Sequence, residues 1–183
     1  EVVNYSAGTH KGLTAKVQVL NMDASVAWEK EATVDSNEDT TDKCIKLEFP
    51  ENLSKVHFIK MTLTEDGKVV SDNFYHRSLE ENNYQDLCQL AKVALQSATT
   101  VDKNADGTWS AVSVIENKTS TPALMIRLNV VDGKDDQQIL PVFYSDNYFS
   151  LLPGEKKEVR MSWRDEDTRG NEGKVLITGY NVE

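Results

Sequence analysis

From Leu13 to Val19 apolar and polar residues alternate without a break: Leu13, Ala15, Val17 and Val19 against Thr14, Lys16 and Gln18. A side-chain period of two belongs to a strand with one buried and one wet face. Val26, Trp28, Ala32 and Val34 make a second run, interrupted by Lys30. The polar stretch Asp35 to Asp42 reads as a loop. Ile45, Leu47 and Phe49 then predict a third strand, which Pro50 ends because it has no amide to give a ladder. After a turn at Glu51 to Ser54, Val56 to Leu63 predicts a further strand whose parity changes at Phe58-Ile59, the mark of a bulge. Glu65-Asp66-Gly67-Lys68 supplies residues that tolerate positive φ, so it predicts a tight hairpin into Val69 to Tyr75.

Leu79 to Leu90 differs in kind. Tyr84, Leu87 and Leu90 recur at three-residue spacing with Asn83 placed to cap, which predicts one or two helical turns, the only ones in the chain. Strand patterns then resume at Val93 and Leu95, at Trp109 to Ile115, and from Pro122 with Leu124, Ile126, Leu128 and Val130 on one face. Asp132-Gly133-Lys134-Asp135 turns the chain into Ile139 to Tyr144, and Leu152-Pro153-Gly154-Glu155 into Val159, Met161 and Trp163. A polar loop, Arg164 to Gly173, precedes a last strand, Lys174 to Val182. Ser-Asp-Asn with an aromatic pair follows an apolar run twice, at Ser71-Asp72-Asn73 and Ser145-Asp146-Asn147. Asp and Asn bond nearby amides readily, so both copies are expected to turn a strand at a corner between sheets rather than to bind a ligand. Short strands with turn signals about every ten residues, in two sets, predict an all-β chain. Its two tandem immunoglobulin-like antiparallel β-sandwiches would span 1–87, with a short connector at the end, and 88–183.

At 183 residues, each half is long enough to bury a small sandwich core. The start at Glu1, without initiator Met or leader pattern, suggests a trimmed chain or a piece of something longer. No apolar run approaches the roughly 20 residues of a membrane helix, so no membrane insertion is expected. With 20 Lys and Arg against 30 Asp and Glu, the net charge of −10 repels phosphate backbones and argues against nucleic acid as a partner. Cys44 and Cys88 have no metal-ligand spacing and are expected to be reduced and partly buried.

Candidate chemistry is thin. Asp102-Lys-Asn104-Ala-Asp106-Gly107 matches the first half of a calcium loop, but the twelfth position, where a bidentate Glu belongs, is Ser113; a plain hairpin turn explains the same residues, and no metal or other cofactor is assigned. Asn37-Glu38 and Asn171-Glu172 resemble the Asn-Glu pair of retaining glycosidases only superficially, since they lie in polar loops of separate modules. His10, His57 and His76 stand among ordinary strand and loop residues with no Gly-x-Ser-x-Gly elbow, and read as surface or satisfied histidines. Trp28, Trp109 and Trp163 fall within strand-like runs and read as core rather than as a sugar-stacking platform. Asn52-Leu-Ser54 and Asn117-Lys-Thr119 are glycosylation sequons only in a eukaryotic secretory setting. No catalytic, cofactor-binding or metal-binding residue is assigned.

Ala123 to Val131, followed by Leu140-Pro-Val-Phe-Tyr-Ser-Asp-Asn147 and Leu151-Leu-Pro-Gly-Glu155, resembles the last immunoglobulin-like domain of glycoside hydrolase family 2, most of all in its exo-β-D-glucosaminidases and β-mannosidase-like enzymes. Val70-Ser-Asp-Asn-Phe-Tyr75 with Asn83-Tyr84-x-Asp86-Leu87 resembles the end of the domain before it, with His76 where Trp is expected. The resemblance implies a non-catalytic C-terminal third of a glycosidase whose two catalytic glutamates lie in a preceding barrel; no residue here matches their motifs. It implies that barrel as partner, a periplasmic or extracellular location, and no enzyme activity in this chain by itself. A saccharide remains open as a further ligand. The other reading of the same residues is a free-standing carbohydrate-binding or cell-surface adhesive module.

Overall fold

The alternating run around Val17 is the centre of the first sheet. Residues 1–183 are described by a computed structural model, which divides into two compact units, Glu1–Gln89 and Leu90–Glu183. In the first, β1 (Val2–Asn4), β2 (His10–Asn21), β3 (Val26–Ser36), β4 (Thr40–Asp42), β5 (Val56–Glu65) and β6 (Lys68–Ser78) follow one another. The sheet β3-β2-β5-β6 carries most of the ladder, and β1 pairs with β4 in a second, two-stranded sheet. Leu13 and Ala15 of β2 are buried with Val2 of β1 in a small apolar cluster, against which Val34, Cys44, Ile45 and Leu63 pack. The β5–β6 hairpin closes on Glu65 opposite Lys68, with Asp66 at φ 48° and Gly67 at φ 76°. Two successive left-handed residues match the strand twist in a two-residue turn.

Three expectations for this unit need correction. No strand forms over Ile45–Phe49: residues 43–50 belong to no regular element. Ile45 and Leu47 are half-buried while Phe49 is 46% exposed, so the alternating residues are placed by side-chain burial alone, not by ladder pairing. Thr40–Asp42 is a strand instead of loop. The Asp42 carboxylate accepts the hydroxyls of Ser36 and Thr40, each at 2.8 Å, so polar side chains fix a polar strand. Finally, β5 has no bulge at Phe58-Ile59, since it pairs with β2 without a break from His57 to Thr64. His57, Phe58 and Ile59 are all buried, so both faces of the strand are covered there and parity carries no signal. The register shifts lie elsewhere, at Leu63/Thr64 against β6 and at His10/Leu13 and Val19/Leu20 between β2 and β3.

In the second unit the strands are β7 (Gln96–Lys103), β8 (Thr108–Glu116), β9 (Ala123–Asp132), β10 (Phe143–Tyr144), β11 (Phe149–Leu151), β12 (Lys156–Arg164) and β13 (Gly173–Thr178). They form two antiparallel sheets, β10-β12-β8-β7 and β11-β9-β13. Ile115, Ile126, Leu128, Val130, Val159 and Trp163 are central members of the core they share. The chain is all-β, and its units are immunoglobulin-like sandwiches.

Val93 does not open a strand; it makes a lone parallel bridge to Val182, and β7 starts at Gln96. Ile139–Tyr144 is not one strand either. Gln138 bridges Val131, a cis Leu140-Pro141 bond follows, and only Phe143–Tyr144 pairs, on the other sheet. The last strand stops at Thr178. The helical spacing before the second unit becomes the 3₁₀ turn Gln85–Gln89, with Asn83 Oδ1 accepting the Gln85 amide at 3.2 Å. A second 3₁₀ turn, Asp165–Thr168, occupies part of the predicted polar loop.

Candidate functional site

The segment with most side-chain work invested in it is the corner of the second unit. Ser145-Asp146-Asn147 carries the chain from β10 in one sheet to β11 in the other. Ser145 donates its amide to the Arg160 carbonyl at 2.8 Å and accepts the Arg160 amide on Oγ at 2.9 Å. Asp146 is ion-paired with Lys157. The Asn147 side chain bonds both backbone groups of Leu128 on β9, and the Tyr144 hydroxyl accepts the Val130 amide at 3.1 Å. Tyr148 follows with φ 59°, its amide held by Asn147 Oδ1 at 3.0 Å. The corner expected at this copy is present. At the other copy it is absent: Ser71, Asp72 and Asn73 lie mid-strand in β6, opposite Leu63, Thr62 and Met61. There the hairpin turn has already set direction, and the strand simply runs on.

Two further asparagines, invisible to a search for reactive groups, tie the unit internally. Asn117 is fully buried, donating to the carbonyls of Thr121 and Leu151 at 2.8 and 3.0 Å and accepting from Thr119. Its sequon is therefore an interior brace, whereas Asn52 is exposed. Asn181 donates to Ala91 and Pro122 and accepts the Leu124 amide at 2.9 Å, joining the unit's two ends. Asn117 stands between Glu116 and Lys118 and Asn181 between Tyr180 and Val182, so neighbouring residues gave no signal of either brace.

The carboxylates singled out from sequence serve loops. Asn37 accepts the Thr9 hydroxyl and Glu38 the Gly8 amide in the first unit. In the second, Asn171 donates to Asp132 at 2.9 Å, and it is the Glu172 carbonyl, not its carboxylate, that receives the Gly133 amide. In the Asp102–Gly107 stretch, Asp106 accepts the amide and hydroxyl of Thr108 at 3.0 and 2.6 Å, which holds its carboxyl below the usual range. Asp102 pairs with Ser110 across the ladder, and Asn104 donates to Thr108. That is the wiring of a hairpin, and nowhere in the structure do three His, Cys, Asp or Glu side chains gather as a metal would need.

One arrangement has the outline of a nucleophile triad. His10 contacts Ser6 Oγ through Nε2 at 2.9 Å and Glu65 through Nδ1 at 2.8 Å, beside a cavity of about 250 Å³ between β1 and β6. The chemistry does not follow. Ser6 Oγ already donates to Asn4 Oδ1 at 2.7 Å, so its single proton is not held for the imidazole, and the Ser6 amide is spent on the same oxygen. Neither an activated hydroxyl nor a pair of oxyanion donors results.

The remaining histidines differ from each other. His76 meets Phe58 and Phe74 edge-on, and burial pushes its pKa down. His57, expected to be exposed or satisfied, is 2% exposed and neither ring nitrogen has a hydrogen-bond partner. Burial is the main force lowering its pKa; the Lys55 and Ser54 backbone pulls the other way, and Arg77, opposite it on β6, adds a smaller push down. A one-sequence pattern cannot reveal that both faces of β5 are covered at this point.

Trp163 is core, stacked at 6.4 Å and 3° on Trp109. Trp109 is half-buried and donates to Asp165 at 2.7 Å, while Trp28 is half-buried on β3 outside both apolar clusters. No exposed tryptophan platform exists. Cys44 is half-buried and lines a second cavity of about 260 Å³ in the first unit. Cys88, expected to be partly buried, is exposed on the five-residue 3₁₀ turn Gln85–Gln89, which buries none of its residues. No disulfide joins them.

Residues 2–78 match the family model described as a mannosidase Ig/CBM-like domain, and residues 73–182 the exo-beta-D-glucosaminidase Ig-fold domain. The two matches meet within β6, whereas the compact units meet at Gln89/Leu90; the second model thus reaches back across the connector. Exo-beta-D-glucosaminidases of Arthroderma benhamiae and Streptomyces avermitilis are 26% and 29% identical to this chain over 100% and 99% of its length. Those stretches are 22% and 23% of the relatives, less than the third that the motifs suggest. The exo-chitosanase CsxA of Amycolatopsis orientalis superposes with a TM-score of 0.91 and 25% identity, over 99% of this chain and 24% of its own. A β-D-mannosidase of Dictyoglomus thermophilum, at TM-score 0.59 and 14% identity over 100% of this chain and 21% of its own, shares the fold. With more than half of its residues matched by one model, and the Ig-like sandwich that the model describes present in the structure, the chain belongs to the exo-beta-D-glucosaminidase Ig-fold domain family.

Proposed function

We propose that the chain is the non-catalytic, structural accessory part of a family 2 exo-glycosidase acting on β-glucosaminides or β-mannosides, built to pack on a catalytic barrel that lies elsewhere in the parent enzyme. The observation that carries this reading is coverage: nearly all of the chain aligns with about 22% of relatives named as exo-beta-D-glucosaminidases. The side chains agree with it. Glu38 and Asp106 are engaged in loop hydrogen bonds and Glu172 contributes only its carbonyl, the inverse of a pair held open across a sugar. Buried and half-buried tryptophans favour it over a free-standing carbohydrate-binding module, which needs an exposed aromatic platform.

The test has two arms. Purified chain incubated with p-nitrophenyl β-D-glucosaminide and β-mannoside is expected to release nothing above buffer, and calorimetry against chitosan oligomers to show no saturable heat. In the second arm the chain replaces the aligned segment of the Streptomyces avermitilis enzyme, and the chimaera is expected to be folded and active. Turnover by the isolated chain, tight saccharide binding, or an inactive, unfolded chimaera would each overturn the accessory reading.

A further inference from the structure

The two outer faces of the second sandwich differ. On the β12 side the outward residues are charged, with Glu158 paired to Arg160 at 2.6 Å and Arg164 paired to Glu166 at 3.1 Å. On the β9 side large apolar residues lie outward, Met125 49% exposed, Tyr148 60% and Leu176 37%, alongside Arg127 and the Lys174–Asp136 ion pair. Arg127 lies two residues along β9 from Met125, opposite Thr178 of β13, while Leu176 faces Asn129 on that same side. The Arg127 guanidinium sits 5.8 Å from the Tyr148 ring centroid. Met125 and Tyr148 both hold left-handed backbone, φ 52° and 59°, a conformation unfavourable for large side chains. Ser150 Oγ accepts the Met125 amide at 3.3 Å and Asn147 the Tyr148 amide at 3.0 Å. Local bonds are thus spent on turning two large side chains outward.

We propose that this face, centred on Tyr148, Met125, Leu176 and Arg127, is a docking surface for another domain of the parent enzyme chain, one presenting an apolar patch with a carboxylate opposite Arg127. The inference rests on the accessory reading above and goes beyond it by naming the face. Tyr, Met and Arg are the residue types enriched where protein interfaces bury their centres. More than three-quarters of each aligned relative lies outside the matched stretch, so the parent chain has ample surface to supply the partner. Arg127, set among these apolar residues, selects an acidic group opposite it, and the Lys174 charge on the same side is already met by Asp136 at 2.6 Å.

The Streptomyces avermitilis chimaera tests this with Tyr148→Asn, which tolerates left-handed backbone, and Leu176→Asp, which leaves that backbone untouched. Each is expected to leave the melt of the isolated 183-residue chain unchanged, yet to split the chimaera's single transition and raise protease cleavage at the junction about tenfold. If Tyr148→Asn disturbs the isolated chain, Leu176→Asp alone decides. An active parent chimaera indifferent to both substitutions would overturn the docking face and leave the accessory reading standing. An unfolded parent chimaera would overturn both.

Discussion

The side-chain amide of Asn147 pairs with the backbone of Leu128 as a strand residue would, accepting its amide and donating to its carbonyl, both at 2.9 Å. A ladder position on β9 is thereby filled by a side chain at the point where the chain leaves one sheet and enters the other. The corner costs no unpaired backbone at Leu128.

Asn147→Ala removes both bonds and leaves two half-buried backbone groups to find water, so it should destabilise the second unit by about 2 kcal/mol. Asn73→Ala, in the same tripeptide but exposed in mid-strand, should change stability by less than about 0.5 kcal/mol. Urea melts of both variants check the contrast; equal effects would refute the corner's role.

A Cβ on Gly173 would lie 2.9 Å from the Trp163 ring and 3.2 Å from Ile139. Gly173→Ala should therefore overpack the core and cost about 1 to 3 kcal/mol. Tryptophan fluorescence followed through a denaturant melt reads this directly, since the affected ring is one of three. An unshifted midpoint would show that the Trp163–Trp109 stack yields freely.

Acid should weaken the first unit more than the second. The folded-state pKa values of His57 and His76 are depressed below the ordinary imidazole value of 6.5, chiefly by burial. The folded protein resists taking up these protons, so the associated stability is complete above the unfolded pKa and falls as pH drops through 6.5 toward the folded values. All three histidines lie in the first unit. Melts of the two halves from pH 7.5 to 5 should show the first half losing stability and the second staying nearly flat, with His57→Gln reducing the slope. Parallel slopes would contradict the assignment.

Cutting between Gln89 and Leu90 should yield two separately folded β domains, as each unit has its own sheets. Calorimetry of each half is expected to show one cooperative transition. If neither half melts cooperatively, the chain is one folding unit.

What the residues determined unaided was the class of structure. Alternation at Leu13–Val19 and Leu124–Val130, and the Asp66-Gly67 turn, are local properties: a side chain's face follows from its parity, and Asp-Gly tolerates the left-handed backbone that a two-residue hairpin turn needs. Position in a sheet is a relation between distant segments, and there the pattern ran out. Ile45–Phe49 alternates yet pairs with nothing, whereas Thr40–Asp42 carries no apolar signal yet pairs with Val2–Asn4. Identical Ser-Asp-Asn tripeptides became a straight strand and a corner, because only near Asn147 does a second sheet offer Leu128 to bond. Burial on both faces of β5, which isolates His57, and the contrast between the charged and apolar faces of the second sandwich likewise depend on what packs across. Those are decisions of tertiary structure, since no local property of a residue specifies which distant segment will cover it.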